Sequence, residues 1–312
     1  MFANPFKLKK LGILGMNERN INFIGKYNER KNFPLVDNKL KTKQIALKHN
    51  IAVPELLGFI EFQADAKNFE ALIKNENAFV IKPAQGSGGK GILVVKKEGD
   101  EFVKTCGEVV SSLYIRRHIS NILSGLYSLG GRNDIAVFEK MVVFDEVFDG
   151  FSFEGVPDIR VIVYRGYPAF AMMRLSTSMS EGKANLHQGA VGVGLDIASG
   201  KAISAVQFNR PLTHHPDTQK KLGELVVPFW DEILRLSAKC YEMTDMGYLG
   251  ADIVIDKYRG PLVLELNARP GLAIQIANDS GLLNRFKQID QVVGAHKTIE
   301  NKVEFSKTLS AM

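Results

Sequence analysis

The 312-residue sequence is poor in cysteine, with only Cys106 and Cys240, which lie far apart and form no C-x-x-C pair. Neither a disulfide framework nor a cysteine-based zinc site is supported. The sequence also lacks an apolar run near the roughly 18 to 20 residues that a membrane-spanning helix needs. The apolar patch near its start is shorter than the core of a signal peptide. We therefore expect a protein of the reducing cytoplasm that has no membrane partner.

Neither sign of charge dominates strongly, since 40 Lys and Arg residues stand against 34 Asp and Glu residues for a net charge of +6. The basic residues are spread along the chain, apart from Lys39, Lys41 and Lys43 and the pair Arg116 and Arg117. A nucleic-acid-binding protein usually concentrates them in one tract or on one face. We therefore expect no nucleic-acid partner, and a small anionic ligand explains the excess equally well. With 45% hydrophobic residues the chain can bury a sizeable core.

The stretch VIKPAQGSGGKGILVV, residues 80–95, is rich in glycine and typical of a phosphate-binding loop. Its G-x-G-x-x-G spacing at Gly86, Gly88 and Gly91 also occurs in dinucleotide-binding folds and protein kinases. A dinucleotide-binding fingerprint needs a helix after its glycines. Here residues 91–95 predict a strand, and residues 78–82 predict another strand before the loop. A Walker A motif cannot be aligned here, and the chain contains neither H-R-D nor D-F-G. The loop is therefore predicted to join two strands of a different nucleotide-binding architecture.

The sequence predicts three helices and several further strands. Asp37 is predicted to cap a helix that runs to about Asn50, before the stop signal IAVP. Apolar residues at helical spacing predict two amphipathic helices, over residues 109–129 and 217–245. The first 36 residues show little periodicity and are predicted to form an irregular arm. Strands are predicted in IAVFEKMVV, on both sides of the turn Arg165–Gly166, and in the hairpin GADIVIDKYRGPLVLELNARPG.

The final hairpin carries a second set of polar residues. Because strand residues alternate between two faces, Glu265 and Asn267 share one face of their strand. A turn centred between Tyr258 and Arg259 would place Asp252 directly opposite Glu265. Two carboxylates opposite each other repel, and a divalent cation between them would remove the repulsion. Because two carboxylates and an amide oxygen are hard ligands, they suit Mg²⁺. The prediction depends on this register, because a shift by one residue would separate the carboxylates.

These features resemble the ATP-grasp superfamily and, within it, the RimK-like alpha-L-glutamate ligases. The resemblance covers residues from about 37 to about 275 and rests on segments in the family's order: DNKLKTKQIALKHNIAVPE, FVIKPAQGSGGKGI, FEKMV, DIRVIV, NLHQGA, GADIVID and LELNARPGL. It implies an α+β class, ATP-grasp fold with two α/β lobes and the nucleotide between antiparallel sheets. It also implies a truncated pre-ATP-grasp domain, because family members usually carry a larger Rossmann-like domain before the first lysine.

The implied organisation has four parts: an N-terminal arm (1–36), an N-terminal lobe with the glycine-rich flap and a helical insertion (37–135), a C-terminal lobe with the magnesium site (136–300), and a tail (301–312). The helical insertion would cover the substrate cleft or mediate dimerisation. The shortened first domain leaves the identity of the acceptor open.

The resemblance implies nucleotide-binding roles for five groups of residues. They are the two phosphate-binding lysines, the flap, an adenine-reading hinge, an acid that contacts ATP and a segment beside the triphosphate. In the same order these are Lys39 and Lys82; Gly86, Ser87, Gly88, Gly89 and Lys90; Glu139, Lys140, Met141 and Val142; Asp158; and Lys183 and Asn185.

The resemblance also assigns a metal site and a set of arginines. The magnesium ligands would be Asp252, Glu265 and Asn267. The arginines would hold the transferred phosphoryl group and the acceptor carboxylate, since a guanidinium group fits both. These candidates are Arg160, Arg174 and Arg269.

The implied reaction is an ATP- and Mg²⁺-dependent ligation, with two Mg²⁺ ions that Mn²⁺ can replace. A carboxylate on a small molecule or peptide attacks the γ-phosphate, and an amino acid such as glutamate, or another amine, displaces phosphate from the acyl phosphate. A homo-oligomer is compatible with this function. Two other interpretations stay open: a phosphotransferase on the same fold, and an inactive nucleotide- or nucleic-acid-binding scaffold. A scaffold has no need for Lys82 together with the carboxylates Asp252 and Glu265.

Overall fold

A computed structural model describes residues 4–86, 88–128 and 130–309. It contains two antiparallel sheets, of six and seven strands, together with helices, so the predicted α+β class is confirmed. The chain divides into two compact units: a small unit of residues 37–44 and 53–143, and a large unit of residues 1–36, 45–52 and 144–312. Among the described residues, no helix combines the length and apolar character needed to cross a bilayer.

The N-terminal arm, which belongs to the large unit, is mostly helical and not irregular as predicted. Its elements are α1 (Pro5–Lys10), α2 (Met16–Glu18), a π-helical segment (Arg19–Ile24), α3 (Gly25–Tyr27), a 3-10 turn (Arg30–Asn32) and α4 (Pro34–Asp37). None is longer than six residues, which is too short to produce a recognisable hydrophobic period in the sequence.

Two buried amide side chains fasten the arm to the rest of the large unit. Asn28 donates through Nδ2 to the carbonyl of Tyr248 at 2.7 Å and accepts from the N–H of the same residue at 2.9 Å. Gln275 donates to the carbonyl of Leu14 at 3.1 Å and accepts from its N–H at 2.8 Å. Because each amide satisfies both polar groups of a backbone residue, the arm is an integral part of this unit.

The small unit is built on the six-stranded sheet. Its elements are α5 (Lys39–Lys48, with residues 39–44 in this unit), β1 (Leu56–Ile60), a 3-10 segment (Gln63–Asn68), α6 (Phe69–Leu72), β2 (Ala78–Pro83), β3 (Leu93–Glu98), β4 (Glu101–Lys104), β5 (Val109–Val110), α7 (Ser112–Leu123) and β6 (Ala136–Lys140). The strand order is β1-β6-β2-β3-β4-β5. Phe79, Ile119 and Phe138 belong to one buried apolar cluster that joins α7 to the sheet. β2 and β3 confirm the strands predicted on either side of the glycine loop.

Two helix boundaries predicted for this region were wrong. Asn38, not Asp37, caps α5, because its side chain accepts a hydrogen bond from the N–H of Lys41 at 3.0 Å. The helix predicted over residues 109–129 is limited to Ser112–Leu123. It is shorter because residues 109–110 pair in β5 and because Gly125, at φ +82°, ends the helix.

The large unit contains the seven-stranded sheet in the order β11-β10-β9-β8-β7-β12-β13. Its strands are β7 (Asp158–Tyr164), β8 (Tyr167–Leu175), β9 (Val191–Leu195), β10 (Ala202–Gln207), β11 (Arg210–Leu212), β12 (Tyr248–Asp256) and β13 (Gly260–Asn267). Its further helices are α8 (Trp230–Thr244), α9 (Ile274–Ala277), α10 (Leu282–Val292) and α11 (Ile299–Lys307), with 3-10 turns at Glu146–Phe148, Leu186–Gln188 and Leu222–Glu224.

Sequence signals predicted one hairpin of this sheet correctly and one helix incorrectly. The turn Arg165–Gly166 between β7 and β8 is confirmed, and both residues have positive φ, as a two-residue hairpin turn requires. The helix predicted over residues 217–245 begins only at Trp230. Pro228 inside the predicted span cannot continue a helical hydrogen-bond ladder, and Lys221 and Val226 instead form isolated β-bridges.

We expect Asn28→Ala to lower the free energy of unfolding by about 2–6 kcal/mol. The buried N–H and C=O of Tyr248 would lose their partners, and each unsatisfied group costs about 1–3 kcal/mol. Chemical denaturation of the full chain measures this loss. Asn17→Ala, which changes an exposed amide on the same arm, should stay within about 0.5 kcal/mol of the parent protein. Equal stability of the two variants would show that Asn28 does not fasten the arm.

Candidate functional site

The glycine loop of the small unit joins β2 to β3. Three of its glycines adopt the left-handed backbone region that glycine enters at little cost: Gly88 (φ +63°), Gly89 (+75°) and Gly91 (+77°). Lys90 is exposed, and Lys39 donates through Nζ to the carbonyl of Gly86 at 2.7 Å. Ser87, a predicted nucleotide contact, lies outside the described residues. The structure thus brings Lys39 to the loop, where its side chain contacts loop backbone.

A buried carboxylate braces the start of this loop. Asp134 accepts hydrogen bonds from the N–H of Gln85 at 3.1 and 3.0 Å and from the hydroxyl of Ser128. Ser128 also forms a β-bridge with Gly86. The residues after α7 therefore fix the backbone at the point where β2 enters the loop.

The end of the glycine loop is held by two aromatic side chains from α7 and the residues that follow it. Tyr127 packs so closely on Gly91 that a Cβ at this position would lie 2.5 Å from Cγ of the ring. His118, on α7, places Nε2 3.0 Å from the carbonyl of Gly91. Burial lowers the pKa of His118, so the neutral ring donates its Nε2–H to that carbonyl. The helical insertion thus positions the glycine loop within the small unit.

A second buried carboxylate of the small unit organises two lysines. Glu139, on β6, is 2% exposed. Its Oε1 lies 2.9 Å from Nζ of Lys43, and its Oε2 lies 2.6 Å from Nζ of Lys82. Burial opposes ionisation of Glu139, but the charges of Lys82 and Lys43 hold its pKa below the ordinary value. The resemblance names Lys39 and Lys82 as the phosphate-binding lysines, and that role stays a prediction. The lysine that shares Glu139 with Lys82 is Lys43, one helical turn after Lys39 on α5.

The predicted adenine-reading hinge is partly engaged in other contacts. The side chain of Glu139 is committed to the two lysines. The N–H of Lys140 donates to the carbonyl of Glu55 at 2.9 Å, so it cannot donate to a base. Met141 and Val142 are half-buried and directly follow β6. An adenine contact at these two residues stays a prediction.

Four charged side chains meet on β7, β8 and β12 of the large unit. Asp252 lies opposite Arg160, and Asp158 lies opposite Arg174. Arg160 binds Asp252 through Nε at 2.7 Å and Nη2 at 2.6 Å. Arg174 binds Asp158 through Nε and Nη2 and also reaches Oδ2 of Asp252 at 2.8 Å. Each side chain is at most 12% exposed, so water screens these contacts little.

The shared guanidinium makes the two acids unequal. Burial disfavours the Asp252 anion, yet Arg160 and Arg174 lower its pKa to about 2. Burial raises the pKa of Asp158 to about 6, and the neighbouring Asp252 charge adds to the rise although Arg174 opposes it. Burial works against the charge of Arg174, but both carboxylates raise its pKa. Asp252 therefore stays ionised at neutral pH and anchors both arginines.

The hairpin of β12 and β13 places Asp252 opposite Glu265, as predicted. The register arises differently from the prediction, however. Asp256 lies opposite Gly260, so the turn is centred on Tyr258, and a β-bulge then shifts the pairing by one residue before Asp252 is reached. The side chain of Asp256 accepts from the N–H of Tyr258 at 3.0 Å, and Gly260 has φ +71°. Both features favour a three-residue turn.

The carboxylate of Asp252, a predicted magnesium ligand, accepts hydrogen bonds from three other side chains. Its oxygens accept two hydrogen bonds from Arg160, one from Arg174 and one from Nδ2 of Asn267 at 3.0 Å. These fill the roughly four acceptor positions of a carboxylate. Guanidinium groups thus supply the positive charge expected from a cation, and the metal-ligand role stays a prediction.

The remaining predicted residues make other contacts. Arg269 is exposed and stacks on Phe33 of the arm, with Cζ 4.7 Å from the ring centre. Lys183 is exposed and pairs with Glu181 at 3.0 Å. Asn185 caps the 3-10 turn Leu186–Gln188 by accepting a backbone N–H at 3.1 Å. The structure therefore brings Arg160 and Arg174 to the acids but leaves these three residues in separate contacts.

Two residues that organise the small unit were not predicted. Lys43 could have been found, because it lies four residues after Lys39 and so shares its helix face. No local pattern marks Asp134, since the N–H groups that it accepts from include that of Gln85, 49 residues earlier.

We expect Asp134→Ala to speed amide hydrogen exchange at Gln85. Loss of a hydrogen bond of about 1–3 kcal/mol corresponds to an increase of about 5- to 150-fold. Exchange followed by mass spectrometry on the full chain measures it. Asp65→Ala removes an exposed acid of the same unit and should leave this amide unchanged. Equal exchange in both variants would mean that Asp134 does not brace the loop.

We expect Glu139→Gln to destabilise the protein by about 3–5 kcal/mol at neutral pH, because two buried ammonium groups lose their counter-ion. The folded-state pKa of Glu139 lies below its ordinary value of 4.5. Its contribution is therefore complete above pH 4.5 and is lost as the pH falls through the folded value. Denaturant titrations from about pH 3 to 7 should show the two proteins converging at the acid end.

Glu108→Gln is the matched control for this titration. Glu108 is exposed and pairs with Lys104 at 3.0 Å, so its loss should cost less than about 1 kcal/mol throughout. A constant difference between the parent protein and Glu139→Gln across the pH range would contradict the assigned charge state of Glu139.

Several solved structures are similar to the chain. The ATP-grasp ligase PsnB complexed with minimal precursor is 13% identical, with a TM-score of 0.46 over 91% of this chain and 63% of that chain. D-alanyl-alanine synthetase A from Vibrio cholerae O1 biovar eltor str. N16961 is 11% identical, with a TM-score of 0.48 over 89% and 66%. D-alanine–D-alanine ligase from Bacillus anthracis complexed with ATP is 14% identical, with a TM-score of 0.47 over 89% and 69%. The chain spans less than two thirds of the length of PsnB.

The family of the chain follows from the match of its sequence to a family profile. No curated protein matches the chain. The profile of the family described as sugar-transfer associated ATP-grasp matches residues 18–291, from the arm through to α10. The two antiparallel sheets therefore form an ATP-grasp fold, and the chain belongs to the sugar-transfer associated ATP-grasp family.

Proposed function

We propose that the protein is an ATP-dependent carboxylate–amine ligase that forms an amide bond through an acyl phosphate. The observation that carries the proposal is the buried Lys43, Glu139 and Lys82 trio in the unit that also holds the glycine loop. Two ammonium groups around one carboxylate give the trio a net positive charge in a poorly solvated position. The phosphates of a nucleotide would offset that charge.

The glycine loop supports the same proposal. Its backbone is fixed at both ends, by Asp134 and by Tyr127, while Gly88, Gly89 and Lys90 are exposed. Successive N–H groups in such a loop can bind phosphate oxygens. Membership of an ATP-grasp family agrees with nucleotide binding.

In the proposed reaction a substrate carboxylate attacks the γ-phosphorus of ATP, and the bond to the β,γ-bridging oxygen breaks to release ADP. An amine then attacks the acyl carbon, phosphate leaves with the electron pair of the C–O bond, and the amine loses a proton. The lysines would hold the phosphates during the first step. Arg160 and Arg174, which the resemblance assigns to the transferred phosphoryl group, stay candidates for that role, and preorganised groups of this kind contribute roughly 3–4 kcal/mol each. Mg²⁺, or Mn²⁺ in its place, enters as part of the nucleotide substrate.

We propose the substrates as chemical classes, not as single compounds. The resemblance to alpha-L-glutamate ligases suggests glutamate or another amino acid as the amine. The family description, sugar-transfer associated, adds carboxylates carried by sugars to the small-molecule and peptide acceptors. Mixtures used for an activity test should therefore contain amino acids, short peptides and uronic acids.

We expect the purified full chain to release ADP from MgATP when this mixture is present, and Lys82→Met to slow release by about 100- to 1,000-fold. Lys96→Met removes an exposed lysine from the neighbouring strand and should retain full activity. Circular dichroism must show that Lys82→Met is folded, because it breaks a buried ion pair. Hydroxylamine added in place of the amine should convert the acyl phosphate into a hydroxamate.

The outcomes separate the candidate functions. A stable phosphorylated product that forms without an amine and yields no hydroxamate would replace the ligase with a phosphotransferase. Failure of the parent protein to bind MgATP in equilibrium dialysis would overturn the nucleotide assignment and favour a scaffold.

A further inference from the structure

The N-terminal arm brings an arginine to the end of β13. Arg19 donates through Nη1 to the carbonyl of Pro270 at 3.0 Å. Pro270 packs on Gly250, where an added Cβ would lie 2.8 Å from Cβ of the proline. Gly250 in turn pairs with Asn267, whose side chain binds Asp252. Arg19 therefore lies beside the end of β13, whose Asn267 contacts the acid and arginine cluster, within the same unit.

Arg19 is held in place without a counter-ion. Its Nε and Nη2 donate to Oδ1 of the neighbouring Asn20 at 3.1 and 2.9 Å. Across the described part of the chain, no carboxylate lies within ion-pair distance of Arg19 or of Arg269, whose guanidinium stacks on Phe33. A guanidinium has five N–H donors, so two of those on Arg19 are not used by these contacts.

Arg160 and Arg174, in contrast to Arg19 and Arg269, have carboxylate partners. Arg160 and Arg174 are committed to Asp252 and Asp158 through forked hydrogen bonds. An incoming anion would have to displace a buried carboxylate to use those donors, whereas Arg19 and Arg269 present positive charge with no such competitor. Both depend on the arm, because Arg19 begins its π-helical segment and Phe33 supports Arg269.

A buried hydroxyl in the same region also lacks a partner. Tyr248, the first residue of β12, is fully buried, and within the described residues its hydroxyl makes no hydrogen bond. Burial raises the pKa of Tyr248, while the charges of Arg19 and Arg160 oppose that rise. The hydroxyl is a further donor or acceptor that a ligand or water would satisfy.

We propose that Arg19 and Arg269, which the N-terminal arm positions at the end of β13, act as a pair of anion-binding groups and select an acceptor that carries a second anionic group besides the carboxylate to be activated. The second group is a carboxylate or a phosphate ester, because a guanidinium fork fits both. That the anionic ligand is an acceptor rests on the proposed ligase function. The pair itself binds anions whether or not the chain turns over ATP.

Binding of simple anions tests the pair. Isothermal titration of the full chain should detect glutarate and inorganic phosphate, whereas butyrate, which has one charge, should bind at least about tenfold more weakly than glutarate. Arg19→Gln and Arg269→Gln should each weaken binding of the doubly charged probe by about 10- to 100-fold. Arg19→Lys, which keeps the charge but loses the fork, should fall between the parent protein and Arg19→Gln.

Arg30→Gln is the matched control, because Arg30 is an exposed arginine on the same arm. It should leave the affinity for glutarate and phosphate unchanged. An equal loss in Arg30→Gln, an unchanged affinity in Arg19→Gln or no binding by the parent protein would each overturn the proposal. Stronger binding of glutarate than of phosphate would assign a dicarboxylate acceptor, and the reverse a phosphorylated one.

MgATP titrated into the same variants separates this inference from the proposed function. Arg19→Gln should bind MgATP as the parent protein does. Absence of MgATP binding in every protein, together with arginine-dependent anion binding, would overturn the ligase proposal and leave the anion site intact.

Discussion

The forked contact between Arg160 and the buried Asp252 carboxylate is the interaction on which the functional end of the large unit depends. An ion taken out of water loses hydration worth several kcal/mol, which only close and well-directed partners offset. Asp252 obtains such partners from β7, β8 and β13. The register of four adjacent strands, β8, β7, β12 and β13, is therefore coupled to one carboxylate. Any slip of a strand would leave a buried charge without its counter-ion.

The small unit uses the same arrangement with different side chains. Glu139 lies between two lysines, as Asp252 lies between two arginines. In the small unit the single carboxylate carries less charge than its two lysines, whereas in the large unit Asp158 is a second carboxylate that pairs with Arg174. The lysine cluster is therefore the one preorganised to bind an anion, because its cations need not be immobilised when the anion arrives. Lysines suit phosphates as mobile point charges, and arginines suit planar groups that they contact through two donors.

Much of the sheet structure could be predicted from the sequence, because its signals are local. Alternation and turn residues predicted β2, β3, β7 and β8, and the opposition of Asp252 and Glu265 was found in the structure. The partners of Glu139 could not be predicted in the same way. Which of Lys39 and Lys43 approaches it depends on how α5 packs on the sheet, and no short pattern records that packing. The arm escaped prediction because its helical turns are stabilised by tertiary contacts such as those of Asn28, not by a period of their own.

The bulge in β13 has a consequence for the length of the hairpin tip. Asp256 and Gly260 enclose a three-residue turn, whereas the pairing beyond the bulge is the one that a two-residue turn would give. The residue gained by the turn is thus the residue that the ladder omits at Leu264, and the two irregularities cancel. Deleting one residue at the tip could be absorbed by closing the bulge, with Glu265 still opposite Asp252. The tip can therefore tolerate a change in length that the same strand nearer its end cannot.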